Sequence, residues 1–423
     1  MNGIELSVVI PALDDRASLA LILPELRSVL DSLDIQYEIL VVMTTSETVT
    51  RSVVETASGE IVEPSDPGYG AALTAGFARA RGEYILTMDA DISDRPVFIE
   101  DLWRRRTAAE VTIASRYVRG GRADVPAGRR ILSRALNWLS AHGLSVPIRD
   151  LSSGFRLYKG AVLRQQTHTT RDFDILQQIV VRAYAEGWRV QEIPFVYRPR
   201  EQGSSQRRAP GVAAASLRNL PGLWLLRNSI LAADYDDRAH DSRIPLQRYW
   251  QRARYRHVTE LIAGEGPVLD VGCGSSRIIG ALPRGSVGVD ILLRKLRYSR
   301  KFGRALVHGS AFSLPFADHA FPCVLCSQVI EHVPKDSPIL DELCRVLAPG
   351  GRLVLGTPDY NHWEWLVTER LYGMVPGGYA DEHIAHYSYE ELEAIFRGRG
   401  FSLEGSRYIL RGELIMAFRK PRA

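Results

Sequence analysis

Residues 84–91 are Tyr-Ile-Leu-Thr-Met-Asp-Ala-Asp, and residues 268–274 are Val-Leu-Asp-Val-Gly-Cys-Gly. Each stretch begins with a short apolar run that is typical of a buried strand. The first ends in the carboxylates Asp89 and Asp91, which suit a divalent cation that holds a diphosphate. The second ends in a glycine-rich turn, which suits a nucleoside cofactor. The sequence therefore predicts two nucleotide-type sites in a fusion of two enzymes.

Length and composition narrow the class of protein. A chain of 423 residues is long for one domain, and a hydrophobic content of 45% suffices for two cores. The net charge of +4 is mild, so nucleic acid is not an expected partner. No stretch approaches the roughly 20 apolar residues of a membrane span, and residues 1–6 lack a basic leader. We expect a cytoplasmic protein, with peripheral contact at the cytoplasmic membrane face left open.

All four cysteines lie in the second half, and Cys323 and Cys326 have CxxC spacing. No second pair and no suitably placed histidine accompany them, so buried strand cysteines are favoured over a metal site. The settings of the cysteines indicate a reducing compartment without disulfides.

Strands and helices alternate in both halves, which predicts α/β domains with mostly parallel sheets and sites at strand carboxyl ends. The strongly polar residues 234–243 separate the two alternations. We therefore predict a first domain at residues 1–233, a linker at 234–248 and a second domain at 249–423. The predicted strands are residues 6–10, 38–42, 84–88, 268–271, 286–289, 324–327 and 352–356, and the predicted helices of the first half are residues 18–33 and 70–80.

Several blocks around the Asp-Ala-Asp motif form a specific combination. They are residues 7–15 (SVVIPALDD), 68–73 (GYGAAL), 75–77 (AGF), 82–84 (GEY), 88–91 (MDAD), 115–118 (SRYV) and 150–156 (DLSSGFR). On these blocks the first 230 residues or so resemble family 2 glycosyltransferases of the GT-A fold. The group they resemble most is that of the polyprenol-phosphate (dolichol-phosphate) mannosyltransferases.

The resemblance implies inverting transfer of a sugar from a nucleotide sugar to a polyprenyl-phosphate lipid. A phosphate acceptor is already anionic near neutral pH, so positioning and leaving-group stabilisation would dominate. Mg²⁺ or Mn²⁺ on the two carboxylates would neutralise the leaving diphosphate. The resemblance assigns metal binding to Asp89 and Asp91, and catalysis to these two residues together with Arg116 and Arg200. It assigns acceptor-phosphate binding to Arg116, Arg129 and Ser133. The residues that it assigns to nucleotide-sugar binding are Pro11, Ala12, Asp15, Tyr69, Asp89, Ala90 and Asp91.

Three positions depart from the pattern of that family. Residues 43–45 (Met-Thr-Thr) stand where an acidic pair usually contacts the nucleoside. Ser93 stands where a glutamine is often near the metal, and Gln206 stands where a lysine often closes a loop. These departures leave the identity of the donor open.

Residues 129–144 have the pattern of an amphipathic helix. Ile131, Leu132, Trp138 and Leu139 share one broad face, and arginines flank it. Such a helix can lie in the membrane interface, as a lipid acceptor would favour. A core-facing helix is the alternative.

In the second half, Asp290 ends the next strand about twenty residues after Asp270, where a carboxylate can accept both ribose hydroxyls of a nucleoside. Arg277 occupies the place of the third glycine of the dinucleotide fingerprint. This favours S-adenosylmethionine, which has no pyrophosphate, over NAD.

From about residue 249 to residue 418 the chain resembles class I S-adenosylmethionine-dependent methyltransferases, in the broad group that includes ubiquinone-biosynthesis methyltransferases. The blocks are residues 269–274 (LDVGCG), 314–316 (LPF), 329–333 (VIEHV) and 347–351 (LAPGG). The resemblance implies a Rossmann-like fold. His332 or His383 would act as base for a hydroxyl acceptor, and His383 is preferred. Cofactor binding is implied for Asp270, Gly272, Gly274, Asp290, Ser310 and Ala311, with Ser310 in the place of an aspartate that usually contacts adenine.

Three functions compete. The first is a bifunctional enzyme that glycosylates a lipid phosphate and methylates a glycan, a lipid or a related metabolite. The second keeps only the methyltransferase active and makes the first half a binding module, which the missing acidic pair at Met43 and Thr44 motivates. The third has the first half transfer sugar to a protein or small molecule, with the basic helix merely packed.

Overall fold

The computed structural model describes residues 3–12, 16–43, 48–90, 95–168, 170, 172–198, 209–373 and 383–422. The chain divides into two compact units. The first contains residues 1–184 and 188–227, and the second contains residues 185–187 and 228–423.

The first unit contains nine strands and eight α-helices within its described residues. The strands are β1 (Leu6–Pro11), β2 (Tyr37–Val42), β3 (Glu60–Val62), β4 (Tyr84–Thr87), β5 (Val111–Ser115), β6 (Arg122–Ala123), β7 (Arg156–Lys159), β8 (Val190–Pro194) and β9 (Val196–Tyr197). The helices are α1 (Arg16–Ser32), α2 (Thr48–Thr56), α3 (Tyr69–Arg79), α4 (Ile99–Arg104), α5 (Ala127–Gly143), α6 (Gly160–Arg164), α7 (Ile175–Ala185) and α8 (Ala209–Asn228), of which α7 and α8 each end one residue beyond the boundary of the unit.

The main sheet of the first unit has the order β3-β2-β1-β4-β7-β5-β8. β1 is buried along its whole length and pairs in parallel with β2 and β4. β7 is antiparallel to both of its neighbours. The predicted βαβ alternation is therefore present, and it places the carboxyl ends of β1, β2 and β4 at one edge of the sheet.

Helix α3 packs closely against β1 because Gly76 has no side chain. A Cβ atom on Gly76 would lie 2.3 Å from Cγ1 of Val9 in β1. Gly68, with a φ of 122°, turns the chain into the helix, as the absence of a Cβ allows. Tyr69 is thereby fixed at the start of α3.

The second unit contains seven strands and seven α-helices within its described residues. The strands are β10 (Val268–Val271), β11 (Val287–Asp290), β12 (Ala305–His308), β13 (Phe321–Ser327), β14 (Leu347–Pro358), β15 (Ser402–Ile409) and β16 (Glu413–Arg419). The helices are α9 (Tyr235–His240), α10 (Pro245–Leu261), α11 (Ile278–Ala281), α12 (Leu293–Ser299), α13 (Ile339–Val346), α14 (Trp363–Gly373) and α15 (Tyr389–Gly398).

The sheet of the second unit has the order β12-β11-β10-β13-β14-β16-β15. β10 pairs in parallel with β11 and β13, and β13 pairs in parallel with β14. The last two strands form an antiparallel extension. Cys323 and Cys326 lie buried in β13, where the sequence places them.

Two further predictions concern the polar segment and the membrane. Residues 234–248, predicted as a linker, contain α9 and the start of α10, and they belong to the second unit. In the described part of the chain, none of the helices combines the length and the apolar character that crossing a bilayer requires.

Candidate active sites

The first candidate site lies at the carboxyl end of β4. The hydroxyl of Tyr69 donates a hydrogen bond of 2.9 Å to Oδ1 of Asp89. The ring of Tyr69 stacks on Phe173, with 4.2 Å between ring centroids. One oxygen of the Asp89 carboxylate is thus held by a buried tyrosine that is itself fixed by stacking.

Gly154 forms the opposite wall of this site. A Cβ atom there would lie 2.7 Å from the Tyr69 hydroxyl and 3.2 Å from Oδ1 of Asp89. The hydroxyl of Thr87 donates a hydrogen bond of 2.6 Å to the carbonyl of Gly154. The segment is therefore pinned to β4 at a distance that only a residue without a side chain tolerates.

The next feature of the first site is a buried ion pair between Arg116 and Asp150. The Arg116 guanidinium donates to both carboxylate oxygens of Asp150, at 2.7 and 2.8 Å, and also to the hydroxyl of Ser152 at 2.7 Å. Burial alone would raise the pKa of Asp150, but the charge and hydrogen bonds of Arg116 hold it below its usual range. Arg116, predicted to bind acceptor phosphate, is thus anchored by a carboxylate.

The same network extends into helix α5. The hydroxyl of Tyr117 donates a hydrogen bond of 2.7 Å to Oγ of Ser133. The side-chain carbonyl of Asn137 accepts a hydrogen bond of 2.7 Å from the backbone N–H of Leu151, and its amide nitrogen donates to Ser152 at 3.0 Å. Helix α5 is therefore tied to the loop that holds Arg116.

The apolar face of α5 points away from the core. Ile131, Leu132, Trp138 and Leu139 are 67%, 54%, 60% and 52% exposed, whereas the polar Asn137 is only 5% exposed. Arg129, Arg130 and Arg134 are exposed as well. A core-facing helix, the alternative in the sequence, is therefore wrong for this face.

Of the remaining predicted residues of the first half, some lie within the described residues and the others lie outside them. Pro11 and Ala12 are buried where β1 ends, and Ala90 is buried beside Asp89. Arg129 is exposed on α5. Asp15, Asp91 and Arg200 lie outside the described residues, as do Thr44, Thr45, Ser93 and Gln206.

The second candidate site is a cavity of about 710 Å³ at the carboxyl ends of β10, β11 and β13. It brings together all of the residues predicted to bind the cofactor and to act on the acceptor in this half. These lining residues are Asp270, Gly272, Gly274, Asp290, Ser310, Ala311, His332 and His383.

The glycine turn needs its glycines for two physical reasons. Gly272 and Gly274 have φ angles of 73° and 53°, which side chains disfavour. A Cβ atom on Gly272 would lie 2.2 Å from Cγ2 of Val329. The N–H of Gly274 donates a hydrogen bond of 2.8 Å to Oδ2 of Asp290, which aligns that carboxylate with the turn.

Asp270 lies deeper in the cavity wall and is 4% exposed. Burial, followed by the nearby charge of Asp290, raises the pKa of Asp270 to about 7. An aspartate with this pKa changes charge within the physiological range, and a cationic ligand in the cavity would favour its ionised form.

Two residues of the cavity wall were missed in the sequence. Oδ2 of Asp236 accepts hydrogen bonds from the N–H and hydroxyl of Ser275, at 3.1 and 2.9 Å, and from Nζ of Lys295 at 2.9 Å. Asp236 lies in the segment predicted as a linker, yet it clamps the glycine turn. In the sequence, the signal for Asp236 is the acidic run at residues 234–237. This run does not identify Ser275 or Lys295 as the residues that Asp236 binds.

The acceptor end of the cavity contains His383. Its Nδ1 lies 2.8 Å from the hydroxyl of Tyr360 and 3.1 Å from Oε1 of Glu369. Burial, followed by electrostatic repulsion from the neighbouring His332, lowers the pKa of His383. Trp365 lies parallel to the imidazole, with ring centroids 5.8 Å apart. His383 is therefore positioned by three side chains at the cavity wall.

Glu331 lies behind His332 and is fully buried. Burial raises the pKa of Glu331 to about 8. Thr357 is near enough to influence this carboxyl, but no described donor forms a hydrogen bond with either of its oxygens.

Comparison with known proteins matches each half separately. Residues 7–166 match the family "Glycosyl transferase family 2", and residues 269–355 match the family "Methyltransferase domain". The dolichol-phosphate mannosyltransferase of Pyrococcus furiosus is 27% identical over 213 residues, covering 48% of this chain and 59% of the relative. The polyprenol monophosphomannose synthase of Mycolicibacterium smegmatis is 34% identical over 162 residues, covering 36% of this chain and 60% of the relative. The chain thus spans about three fifths of the length of these curated relatives.

Two solved structures show similarity to one half each. Glucosyl-3-phosphoglycerate synthase from Mycobacterium tuberculosis, in complex with Mn²⁺, uridine diphosphate and glucosyl-3-phosphoglycerate, is 18% identical with a TM-score of 0.41, and the match covers 53% of this chain and 79% of that one. A methyltransferase from Thermotoga maritima, described as S-adenosylmethionine-dependent and a possible histamine N-methyltransferase, is 24% identical with a TM-score of 0.34, covering 41% and 93%.

The family matches and the two sheet orders confirm the predicted fold class. The chain has a GT-A-type domain followed by a Rossmann-like methyltransferase domain. The resemblances stated for the two halves are confirmed as well.

Replacing Gly154 by alanine tests the first site. The new methyl group would displace the Tyr69 hydroxyl or Asp89, and a misplacement of about 1 Å at a reacting centre costs about 100-fold in rate. We expect glycosyl transfer to fall by that factor, measured as product formed per minute. Gly143→Ala is the matched control, because a Cβ atom there has no neighbour within 4 Å. Equal rates for the two variants would contradict the assignment.

The pKa of Asp270 predicts how methyl-donor binding depends on pH. Below about pH 7 the carboxyl is protonated, and above it the carboxylate attracts the cationic S-adenosylmethionine, so affinity should rise between about pH 6 and pH 8. Asp270→Asn should flatten this rise and weaken binding about 10-fold at pH 8, measured by calorimetry. Asp341→Asn, at a side chain that is 76% exposed, serves as control. A rise that persists in Asp270→Asn would refute the role of this carboxylate.

Proposed function

We propose that each of the two domains of this chain catalyses one transfer. The chain joins a family 2 glycosyltransferase domain to a methyltransferase domain. The first would move a sugar, with inversion, from a nucleotide sugar to a polyprenyl-phosphate lipid. The second would move a methyl group from S-adenosylmethionine to a glycan, a lipid or a related metabolite. The first domain would be the unit of residues 1–184 and 188–227, and the second domain would be the unit that resumes at residue 228.

The observation that carries the proposal is the position of Asp89. Its carboxylate stands at a strand end, is held by Tyr69, and faces a wall at Gly154 that has no side chain. Gly154 packs so closely that a Cβ atom there would crowd both the Tyr69 hydroxyl and Asp89, so the carboxylate is held in one position at the strand end, where a cation would join it to an anionic ligand. The names of the two mannosyltransferase relatives support the choice of a nucleotide sugar as donor and a polyprenol phosphate as acceptor.

Metal and arginine have separate roles in the proposed glycosyl transfer. Asp89 and Asp91 would hold Mg²⁺ or Mn²⁺, which neutralises charge on the leaving diphosphate when bound. Arg116, Arg129 and Ser133 would hold the acceptor phosphate, and Arg200 would close over the donor. Asp150 and Ser152 hold the Arg116 guanidinium in one orientation, which lowers the entropy lost when its remaining N–H groups bind a phosphate.

Helix α5 would place the lipid. Its four exposed apolar side chains and three exposed arginines form an interfacial helix, with the arginines at the level of anionic headgroups. Through Asn137 the helix connects to the loop that anchors Arg116. A lipid phosphate would therefore meet the arginine while its chain stays in the membrane.

In the proposed methyl transfer, Asp270, the glycine turn and Asp290 would bind the cofactor, with Ser310 and Ala311 beside its base. The acceptor atom attacks the methyl carbon, the carbon–sulfur bond breaks, and S-adenosylhomocysteine leaves. The acceptor loses its proton. His383 would accept this proton from a hydroxyl acceptor, because Glu369 and Tyr360 hold its ring at the cavity wall.

The competing function is an active methyltransferase with a degenerate binding module. Met43, which stands where the family has the first acidic residue, is buried at 4% exposure and cannot contact a ribose through a carboxylate. The intact Asp89–Tyr69 pair favours an active first site.

The mass of the product distinguishes these functions. The purified protein is incubated with Mn²⁺, a polyprenyl phosphate and a panel of nucleotide sugars, with and without S-adenosylmethionine. We expect a glycosylated lipid, and an Asp89→Asn variant should lower its rate at least about 100-fold through loss of leaving-group stabilisation. Asp101→Asn, at a half-exposed surface pair, is the control. No product from any donor, with methyl-donor binding intact in the same sample, would favour the degenerate module.

Liposome flotation tests the membrane helix. A Trp138→Ser/Leu139→Ser double variant removes apolar area from the exposed face, so we expect the fraction bound to anionic vesicles to fall about 10-fold or more. Leu21→Ser is the matched control, because Leu21 is 64% exposed on α1 in the same unit. If both variants float like the original protein, α5 does not bind membranes.

A further inference from the structure

Three side chains with metal-ligating atoms meet at the acceptor end of the methyl-donor cavity. One ligating atom from each of Glu331, His332 and His383 lies within 4.8 Å of the other two. The backbone holds them together, because the N–H groups of Ile384 and Ala385 donate to the carbonyl of Glu331 at 2.7 and 3.0 Å. Two distant segments of the chain are thereby fixed in one cluster.

The carboxyl group of Glu331 is poorly compensated among the described residues, because the Thr357 hydroxyl is near enough to act on it but does not form a well-shaped hydrogen bond. Its side chain is fully buried, and neither carboxylate oxygen accepts a hydrogen bond from a described donor. Arg254, whose charge acts on Glu331, is bound to both oxygens of Glu413 at 2.6 Å. A buried carboxyl group without a partner is costly, and a cation at this position would satisfy it.

His383 has the surroundings that metal-bound histidines have. Its Nδ1 contacts the carboxylate of Glu369 and the hydroxyl of Tyr360. A histidine that ligates a metal through one ring nitrogen usually donates the other N–H to a carboxylate, which fixes the tautomer and the ring. His332 and His383 lie with their ring centroids 4.9 Å apart, and both line the cavity.

We propose that Glu331, His332 and His383 form a binding site for a divalent transition-metal cation of the Zn²⁺ class, open toward the methyl-donor cavity. Two imidazoles and one carboxylate are a donor set that such ions accept, and three protein ligands leave a position for substrate. Bonds of about 2.0 to 2.2 Å join donors about 3 to 4 Å apart, so small side-chain rotations close the site.

The open position selects the acceptor atom, an inference that rests on the proposed methyl transfer. With His383 bound to the cation, the cation replaces it as the group that activates the acceptor: it binds the acceptor hydroxyl and favours loss of its proton to solvent. The resulting oxygen attacks the methyl carbon, an oxygen–carbon bond forms, and the carbon–sulfur bond of the cofactor breaks. The substrate class is therefore a hydroxyl-bearing acceptor, methylated on oxygen.

Cobalt binding tests the site with a readout that does not need activity. The full-length protein is stripped with a chelator and titrated with Co²⁺ in excess Mg²⁺, which occupies oxygen-rich sites. We expect one equivalent with visible ligand-field absorption, and Zn²⁺ should displace it. Glu331→Gln and His383→Asn should abolish the signal, and Glu369→Gln should weaken binding about 10- to 100-fold.

Two controls separate this site from other causes. Asp89→Asn should leave the Co²⁺ signal unchanged, because it alters the other unit. Each variant is also tested for S-adenosylmethionine binding, which reports a folded cavity. A signal that survives in both Glu331→Gln and His383→Asn, or no signal in a protein that binds S-adenosylmethionine, overturns the cation site. Bound Co²⁺ or Zn²⁺ that leaves O-methylation of hydroxyl acceptors unchanged overturns the role in catalysis while the site stands.

Discussion

Parallel hydrogen bonding of the central strands fixes where both sites can form. In the first unit β1, β2 and β4 end at one edge of the sheet, and in the second unit β10, β11 and β13 do the same. Chains that leave parallel strands must turn at this edge, so loops and side chains converge there. Asp270 lies in β10 and Asp89 follows the end of β4, so each is carried to this edge by a strand of this kind.

Buried charge then determines how the loops at these edges are held. Asp150 binds the Arg116 guanidinium through both oxygens, and Asp236 binds Lys295 and the turn at Ser275. A buried charge that loses its partner costs several kcal/mol, on the order of 3 to 5, so these loops have little freedom to rearrange. The carboxyl group of Glu331 is also buried, but its oxygens lack a well-formed hydrogen bond among the described residues. This difference points to a ligand at Glu331.

In the first unit, helix α5 connects an exposed apolar surface to the Arg116–Asp150 ion pair. Asn137 and Ser133 on α5 contact the segments that carry Leu151 and Tyr117, which flank the Arg116–Asp150 pair. The opposite face of the helix exposes Trp138 and Leu139. One helix therefore carries an apolar outer face and a polar inner face that reaches the ion pair, as the proposed transfer to a lipid phosphate would require.

The sequence by itself determined the two folds, the position of Asp89, Asp270 and the glycine turn along the chain, and seven of the strands, namely β1, β2, β4, β10, β11, β13 and β14. Those features are local, since burial, strand ends and positive φ angles restrict residues at neighbouring positions. Only the tertiary structure decided the rest. The apolar face of α5 has the same periodicity whether it meets a core or a membrane, and only its packing exposes it. Asp236 and Lys295 are 59 residues apart in sequence, and Glu331 and His383 come from different segments of the second unit. Chain folding alone brings such pairs together, because no local pattern encodes a contact between distant segments.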